Sequence, residues 1–296
     1  MKWLIVNADD FGLAESVNRG IIVAHRDGIL TSTSLLANGP AFQHAVASSG
    51  PLPQLSIGVH LNLSQGTPVL PASRIPSLVD DRGELHFTPF QLWRRISRRR
   101  ICLDEIHAEC RAQILKVLEG GVTPTHLDGH LHVHVLPELS SIVIDLAREF
   151  GIRSVRSPTE DLERTLPSLS KALGPSLAAL KRSAIAYVVN SLASGFRKRM
   201  RGAGLLCPDA FVGMVHSGLL NARSLSALLS TVPEGTTELM CHPGYTSAQV
   251  ESLGGELTTA REAELLALTA PETKVALRSL GIHLINFRDF EKNLSS

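Results

Sequence analysis

Short apolar runs alternate with helix-length amphipathic stretches along this chain, and that alternation limits its fold more than any other feature. Residues 2–7 read as a strand, and "ESVNRGIIVAHRDG" as a helix ending near Gly28. "TSTSLLANG" leads to the helix candidate "PAFQHAVASSG", the strand "QLSIGVHLNLS" and the helix "LDEIHAECRAQILKVLEGG". In the last, Ile106, Cys110, Ile114 and Val117 form one apolar stripe closed by Gly120-Gly121. "PTHLDGHLHVHV", the helix "PELSSIVIDLAREFG" and "IRSVRSP" come next, then strands in "AFVGMVHSG", "TTELMCHPG" and "GIHLINF". Strand and helix in this rhythm predict βαβ units on a parallel sheet, open or closed. The 296 residues suit a single α/β barrel. Two segments break the rhythm: residues 70–100 are loop-like, and residues 159–206 are helical in composition and rich in Lys and Arg. The expectation is one domain over residues 1–296 with two insertions.

A net charge of +1 provides no global field for nucleic acid or anionic lipid, so nucleic acid is not an expected partner. Cys102, Cys110, Cys207 and Cys241 contain no CxxC pair, which fits a reducing compartment. No signal-peptide pattern and no apolar run long enough to span a bilayer is read, so the expected location is cytoplasmic.

In parallel α/β folds, ligands bind beyond the carboxyl ends of the strands. Asp9 and Asp10 stand there, although a turn or helix cap would use Asp equally well. In "THLDGHLHVH", His126, Asp128, His130, His132 and His134 alternate with other residues. A continuing strand would put all of them on one face. Such a face is hard to bury without partners, and it cannot bring all five to one ion, because its ends would lie about 26 Å apart. His60 and His242 mark two further strand ends. Asp10, His60 and one histidine of the 126–134 run make a carboxylate and two imidazoles. That set suits Zn²⁺, Fe²⁺, Mn²⁺, Co²⁺ or Ni²⁺ and leaves positions for water and substrate. The adjacent carboxylate is then free to act as a base. His25, His44, His107, His216 and His283 lack such company and read as structural.

"VNADDFGLAESVNRGI", "DGILTSTSLLANGPAF", "IGVHLNL", "PTHLDGHLHVH" and "ELMCHPGY", in that order, resemble the YdjC-like carbohydrate deacetylases, and "GIHLINFRDF" fits them too. Within them the chain looks closest to the hopanoid-associated HpnK branch. The resemblance implies an irregular, TIM-like (β/α) barrel of parallel strands and one divalent ion (Zn, Mg, Ni or Co). It also implies removal of acetate from an N-acetylated amino sugar. By position, Asp10, His60 and His130 look like the metal ligands, Asp9 the general base and His242 the general acid. Arg156 matches an arginine that orients the base. Asn62, His132 and Tyr245 are expected at the substrate. Gly129 departs from the family pattern, which often has Ser there. The resemblance also suggests a homodimer.

"WRRISRRR" reads either as a solvated basic face or as a contact for phosphate or anionic membrane. Residues 174–205 read as a capping helix or as an amphipathic shelf for a lipid-linked sugar such as an N-acetylglucosaminyl hopanoid. The shelf would place the protein peripherally at the inner membrane. The competing functions are a soluble chitooligosaccharide deacetylase, a metal-dependent phosphoesterase and a non-catalytic sugar- or lipid-binding barrel.

Overall fold

The structure is a computed structural model and describes residues 1–173, 176–253 and 257–293. Its parallel sheet contains β1 (Lys2–Phe11), β2 (Ser32–Leu35), β3 (Ser56–Leu61), β4 (His126–Gly129), β5 (Ser154–Val155), β6 (Ala210–Val212), β7 (Gly235–Cys241) and β8 (Ile282–Leu284). The order is β5-β4-β3-β2-β1-β7-β6, with β8 paired to the first residues of β1. Beyond β5, Glu160 forms a parallel bridge to Phe211 of β6, so the two ends of the sheet turn toward each other. With helices between successive strands, the result is an α/β, TIM-like half-barrel.

β1 lies between β2 and β7, so both its edges are paired. Its uninterrupted Leu4-Ile5-Val6 run is fully buried, as expected for a central parallel strand. Pairing with β2 passes from Ala8↔Thr33 to Phe11↔Leu35, two residues of β1 opposite one of β2. This is a β-bulge, and Asp10 within it has φ +69°. In a regular strand, neighbouring side chains point to opposite faces. The bulge breaks that alternation, and Asp9 and Asp10 both turn toward His60, with oxygens 4.0 and 3.7 Å from its Nε2.

The expected strand through residues 126–134 is much shorter. β4 ends at Gly129, and His130–Val135 forms a tight turn with Leu131 and His132 at φ +51° and +58°. Two successive left-handed residues end the period-two pattern. The five polar side chains therefore do not share a face.

The first insertion is also more ordered than expected. It contains the helix Pro89–Ser97, begun by a Thr88/Gln91 capping box with Pro89 in its first turn. The second contains the helices Leu162–Leu173 and Leu177–Gly202; residues 174 and 175, within the expected shelf, lie outside the described residues. Both Pro89–Ser97 and Leu177–Gly202 pack against the His130–Val135 turn. Among the described residues, no helix is long and apolar enough to cross a membrane.

Candidate active site

The carboxyl ends of β1, β3 and β4 bring Asp10, His60 and His130 together, all buried. His130 Nδ1 lies 3.2 Å and His60 Nε2 3.7 Å from Asp10 Oδ1. The His60 and His130 rings meet edge to face, 5.4 Å between centroids. His60 Nδ1–H donates to Asp128 Oδ1 at 2.7 Å, which turns Nε2 toward the two β1 carboxylates. Burial disfavours a charge on His60, but Asp128, Asp9 and Asp10 outweigh it and raise its pKa to about 9. Asp10 Oδ1 is buried and, among the described residues, has no hydrogen-bond partner. One free carboxylate oxygen beside two imidazole nitrogens is a donor set that fits a divalent transition ion. Asp9, His60 and Asp128 also lie within ligating distance of one another. That set fits a cation less well, because Arg156 already neutralises both of its carboxylates.

Arg156, just past β5, is fully buried. Its terminal nitrogens reach Asp9 Oδ1 and Oδ2 at 2.7 and 2.8 Å and Asp128 Oδ2 at 3.0 Å. Its Nε donates to Glu238 Oε1 on β7 at 2.8 Å. Burial works against its charge, yet Asp128, Asp9 and Glu238 hold its pKa well above the ordinary value. Glu238 itself is pushed up to about 7 by burial. Ser34 of β2 ties the floor together: its hydroxyl donates to Asp128 Oδ2 at 2.6 Å, lies 3.2 Å from His126 Nε2, and accepts from Asn7 Nδ2 at 2.8 Å. The bidentate guanidinium fixes the Asp9 carboxylate in one orientation.

His242, at the end of β7, is buried, and burial lowers its pKa to about 4. Its backbone N–H donates to Glu264, whose other oxygen takes Gly218 N–H at 3.0 Å. The turn after His242 lies close to the helix Glu15–Arg26: a Cβ built on Gly20 would stand 2.4 Å from Gly244 Cα. Tyr245, 39% exposed, sits on that turn and is held by its N–H to Ser16 O at 3.2 Å.

Two residues expected at the substrate also have partners within the protein. The Asn62 side chain accepts from Ser64 N and Gln65 N and donates to Asn38 Oδ1 and Gln65 O. All of its hydrogen-bonding capacity goes into organising its own loop. The His132 ring packs edge-on to Phe211, 6.0 Å away, and burial holds its pKa well below the usual value. His134 Nε2–H donates to Arg156 O at 3.2 Å, supporting the arginine from behind. A Cβ on Gly129 would meet His134 Nδ1 at 2.9 Å, so the glycine and this histidine placement go together.

A cleft of about 360 Å³ lined by Glu15, Ser16, Arg19, Pro40, Ser247 and Gln249 opens at this end of the sheet. A larger cavity of about 510 Å³ lies at the opposite end, beside Leu55, Thr125 and Arg153, and contains none of the clustered acids or histidines. The smaller cleft does not contain them either, but its Ser16 and Ser247 flank the turn that carries Tyr245.

The sequence profile described as YdjC-like protein matches residues 3–279. The chain belongs to the YdjC-like family. Among YdjC-like relatives, a chitooligosaccharide deacetylase of Serratia marcescens is 33% identical over 97% of this chain and 99% of its own length. A carbohydrate deacetylase of Halalkalibacterium halodurans is 41% identical over 82% of this chain and 85% of its own. A solved structure from Enterococcus faecalis V583, described provisionally as a cellobiose-phosphate cleavage protein, superposes with a TM-score of 0.76 at 28% identity, covering 98% of each chain.

Sequence reasoning passed over three residues of this YdjC-like site: Glu238, Arg261 and Glu264. Arg261 Nη2 donates to Asp10 Oδ2 at 2.6 Å. A signal existed for two of them. Arg261, Glu264, Leu265 and Leu268 follow i, i+3, i+4, i+7 spacing, which sets two charges on a buried helical stripe.

Proposed function

We propose that the chain is a hydrolase that removes the N-acetyl group from an N-acetylglucosamine-type sugar, acting as one deacetylase unit with two insertions. The observation that carries this reading is Asp10 Oδ1, buried between two imidazole nitrogens and, among the described residues, without a hydrogen-bond partner. Relatives named for carbohydrate and chitooligosaccharide deacetylation support the substrate class.

Asp10, His60 and His130 would hold one divalent ion, and two imidazoles favour zinc, nickel or cobalt over magnesium. Such an ion, when bound, polarises an amide carbonyl and acidifies water. Asp9, held by Arg156, keeps lone pairs free and takes the proton of the water that attacks the amide carbon. As the carbon–nitrogen bond breaks, the amine nitrogen needs that proton. His242 is the group we assign to deliver it. Burial keeps its imidazole neutral at first, so it must gain the proton before passing it on. A phosphoesterase with two ions fits less well, since Arg156 already engages Asp9 and Asp128.

A second reading concerns the sugar's other end. Leu177, Leu180, Ile185, Tyr187 and Val188 are each 60–68% exposed on one helix, whose Arg182 reaches Ser217 O beyond β6. Phe90 and Trp93, 64% and 40% exposed, stand on the helix that leads into the arginine-rich run 94–100. These surfaces favour a lipid-linked substrate such as an N-acetylglucosaminyl hopanoid. They fit the HpnK branch, with the protein working in the cytoplasm against the inner membrane.

The test is mass spectrometry of the metal-loaded enzyme with chitobiose and, separately, with N-acetylglucosaminyl hopanoid. Exchange of one acetyl group for hydrogen in either tube supports deacetylation, and the tube in which it occurs chooses the substrate. No exchange in both refutes the reading. Asp9→Asn should keep its metal and lose activity by about a hundredfold or more; unchanged turnover would remove Asp9 as the base.

A further inference from the structure

The helix Leu257–Thr269 adds nothing to the sheet, yet one face of it holds both halves of the site. Arg261 is 3% exposed and Glu264 is fully buried, three residues apart and thus neighbours on one face. Glu264 secures the His242 backbone. The Arg261 backbone carbonyl accepts Gly244 N–H at 3.2 Å, and its guanidinium grips Asp10 Oδ2 at 2.6 Å.

Among the described residues, Nε and Nη1 of Arg261 have no protein acceptor. Burying a guanidinium with most of its donors unpaired is unfavourable, so packing alone is a poor reason for an arginine here. Its one strong interaction divides the Asp10 carboxylate. Oδ2 is occupied and Oδ1 remains for a cation.

We infer that Arg261 is a positioning residue that sets which cation the centre accepts, an inference that rests on the metal-centre reading above. Magnesium and calcium need several oxygen donors and gain from negative charge. Borderline transition ions are content with imidazole. By engaging one Asp10 oxygen and offsetting its charge, Arg261 leaves a centre poorer in oxygen and less negative. That composition selects against the hard cations. Without the guanidinium, both oxygens of Asp10 and its full charge become available to them.

The experiment is equilibrium dialysis of the chelator-stripped full chain against Zn²⁺ and Mg²⁺ separately, with bound metal measured by elemental mass spectrometry and folding by circular dichroism. The wild type is expected to favour zinc strongly. Arg261→Gln and Arg261→Met should each lower the zinc-over-magnesium preference by about tenfold or more, while Arg261→Lys retains most of it. A preference within about twofold of wild type in either folded variant overturns the inference, taking tenfold as the smallest change an outer partner usually makes. So does loss of folding in both, which would make Arg261 a residue of the fold. Asp10→Asn separates the two claims. If it binds zinc as well as wild type, the metal-centre reading itself fails; if it loses zinc while the Arg261 variants keep the preference, only this inference fails.

Discussion

The floor of the barrel and the rim around its mouth treat solvent in opposite ways. The floor buries Asp9, Asp128 and Glu238 around one guanidinium. The rim exposes Leu177, Leu180 and Val188 on one helix. Buried charge of this kind adds little net stability, because desolvation offsets attraction. What it provides is orientation, and Asp9 is the side chain that benefits. Exposed leucines add little to the fold, and the lipid-facing role proposed above would give them a use.

The sharpest way to break the comparison is Arg156→Met. Removing one cation leaves three carboxylates facing one another without water, and losing one partner of a buried pair costs about 3–5 kcal/mol. We expect a melting temperature too low for activity at ordinary assay temperatures. Chemical denaturation showing a loss below about 1 kcal/mol would mean that the floor is solvated after all.

A smaller effect tests the seam where floor meets rim. Glu160 lies at the bridge to β6; its backbone N–H donates to Asn190 on the long rim helix, and its carboxylate accepts from Gly213 and Val215 N–H. Burial raises its pKa to about 7 from the ordinary 4.5. The folded chain therefore keeps a proton that the unfolded chain has released, so this contribution is full below pH 4.5 and is lost as pH rises through 7. In melts across that window, wild type should lose ground steadily against Glu160→Gln, and the difference should level off above it. A pH-independent difference would show that Glu160 is ionised throughout.

The smallest effect on the fold is expected at the rim. Leu177→Ser with Leu180→Ser and Val188→Ser should change stability by no more than about 0.5 kcal/mol per site. The same triple variant should stay in the supernatant when sedimented with anionic liposomes that pull down wild type. Equal recovery of the two proteins would remove the lipid-facing role.

The sequence made the parallel α/β fold legible because the central strands are apolar on both faces and the helices carry clean stripes. β1 could be placed from Leu4-Ile5-Val6 alone. Its bulge could not, since a bulge depends on the partner's register, and only the pairing shows two residues opposite one. The 126–134 run misled for a related reason. Period two persists in the letters after Gly129, but Leu131 and His132 enter left-handed conformations that side-chain chemistry does not announce. Thr88-Pro89 with Gln91 did announce the helix Pro89–Ser97, in a segment that reads as loop because so much of it is polar. Asp10 and His60 were readable because each stands near the end of a strand, whereas His130 was singled out within its run only by the family resemblance. Arg261 and Glu264 arrive from a helix far along the chain, where local sequence ordinarily means packing or solvent.

The contact between Gly20 and Gly244 gives the molecule a sensitive spot at two residues that carry no reactive group. Two backbones meet there with only hydrogens between them, and one carries the turn that aims His242. A single methyl introduced at Gly20, on the buried face of the helix Glu15–Arg26, would act as a wedge, lifting His242 away from the acids of β1. Damage to this enzyme can therefore begin at a residue that has no side chain.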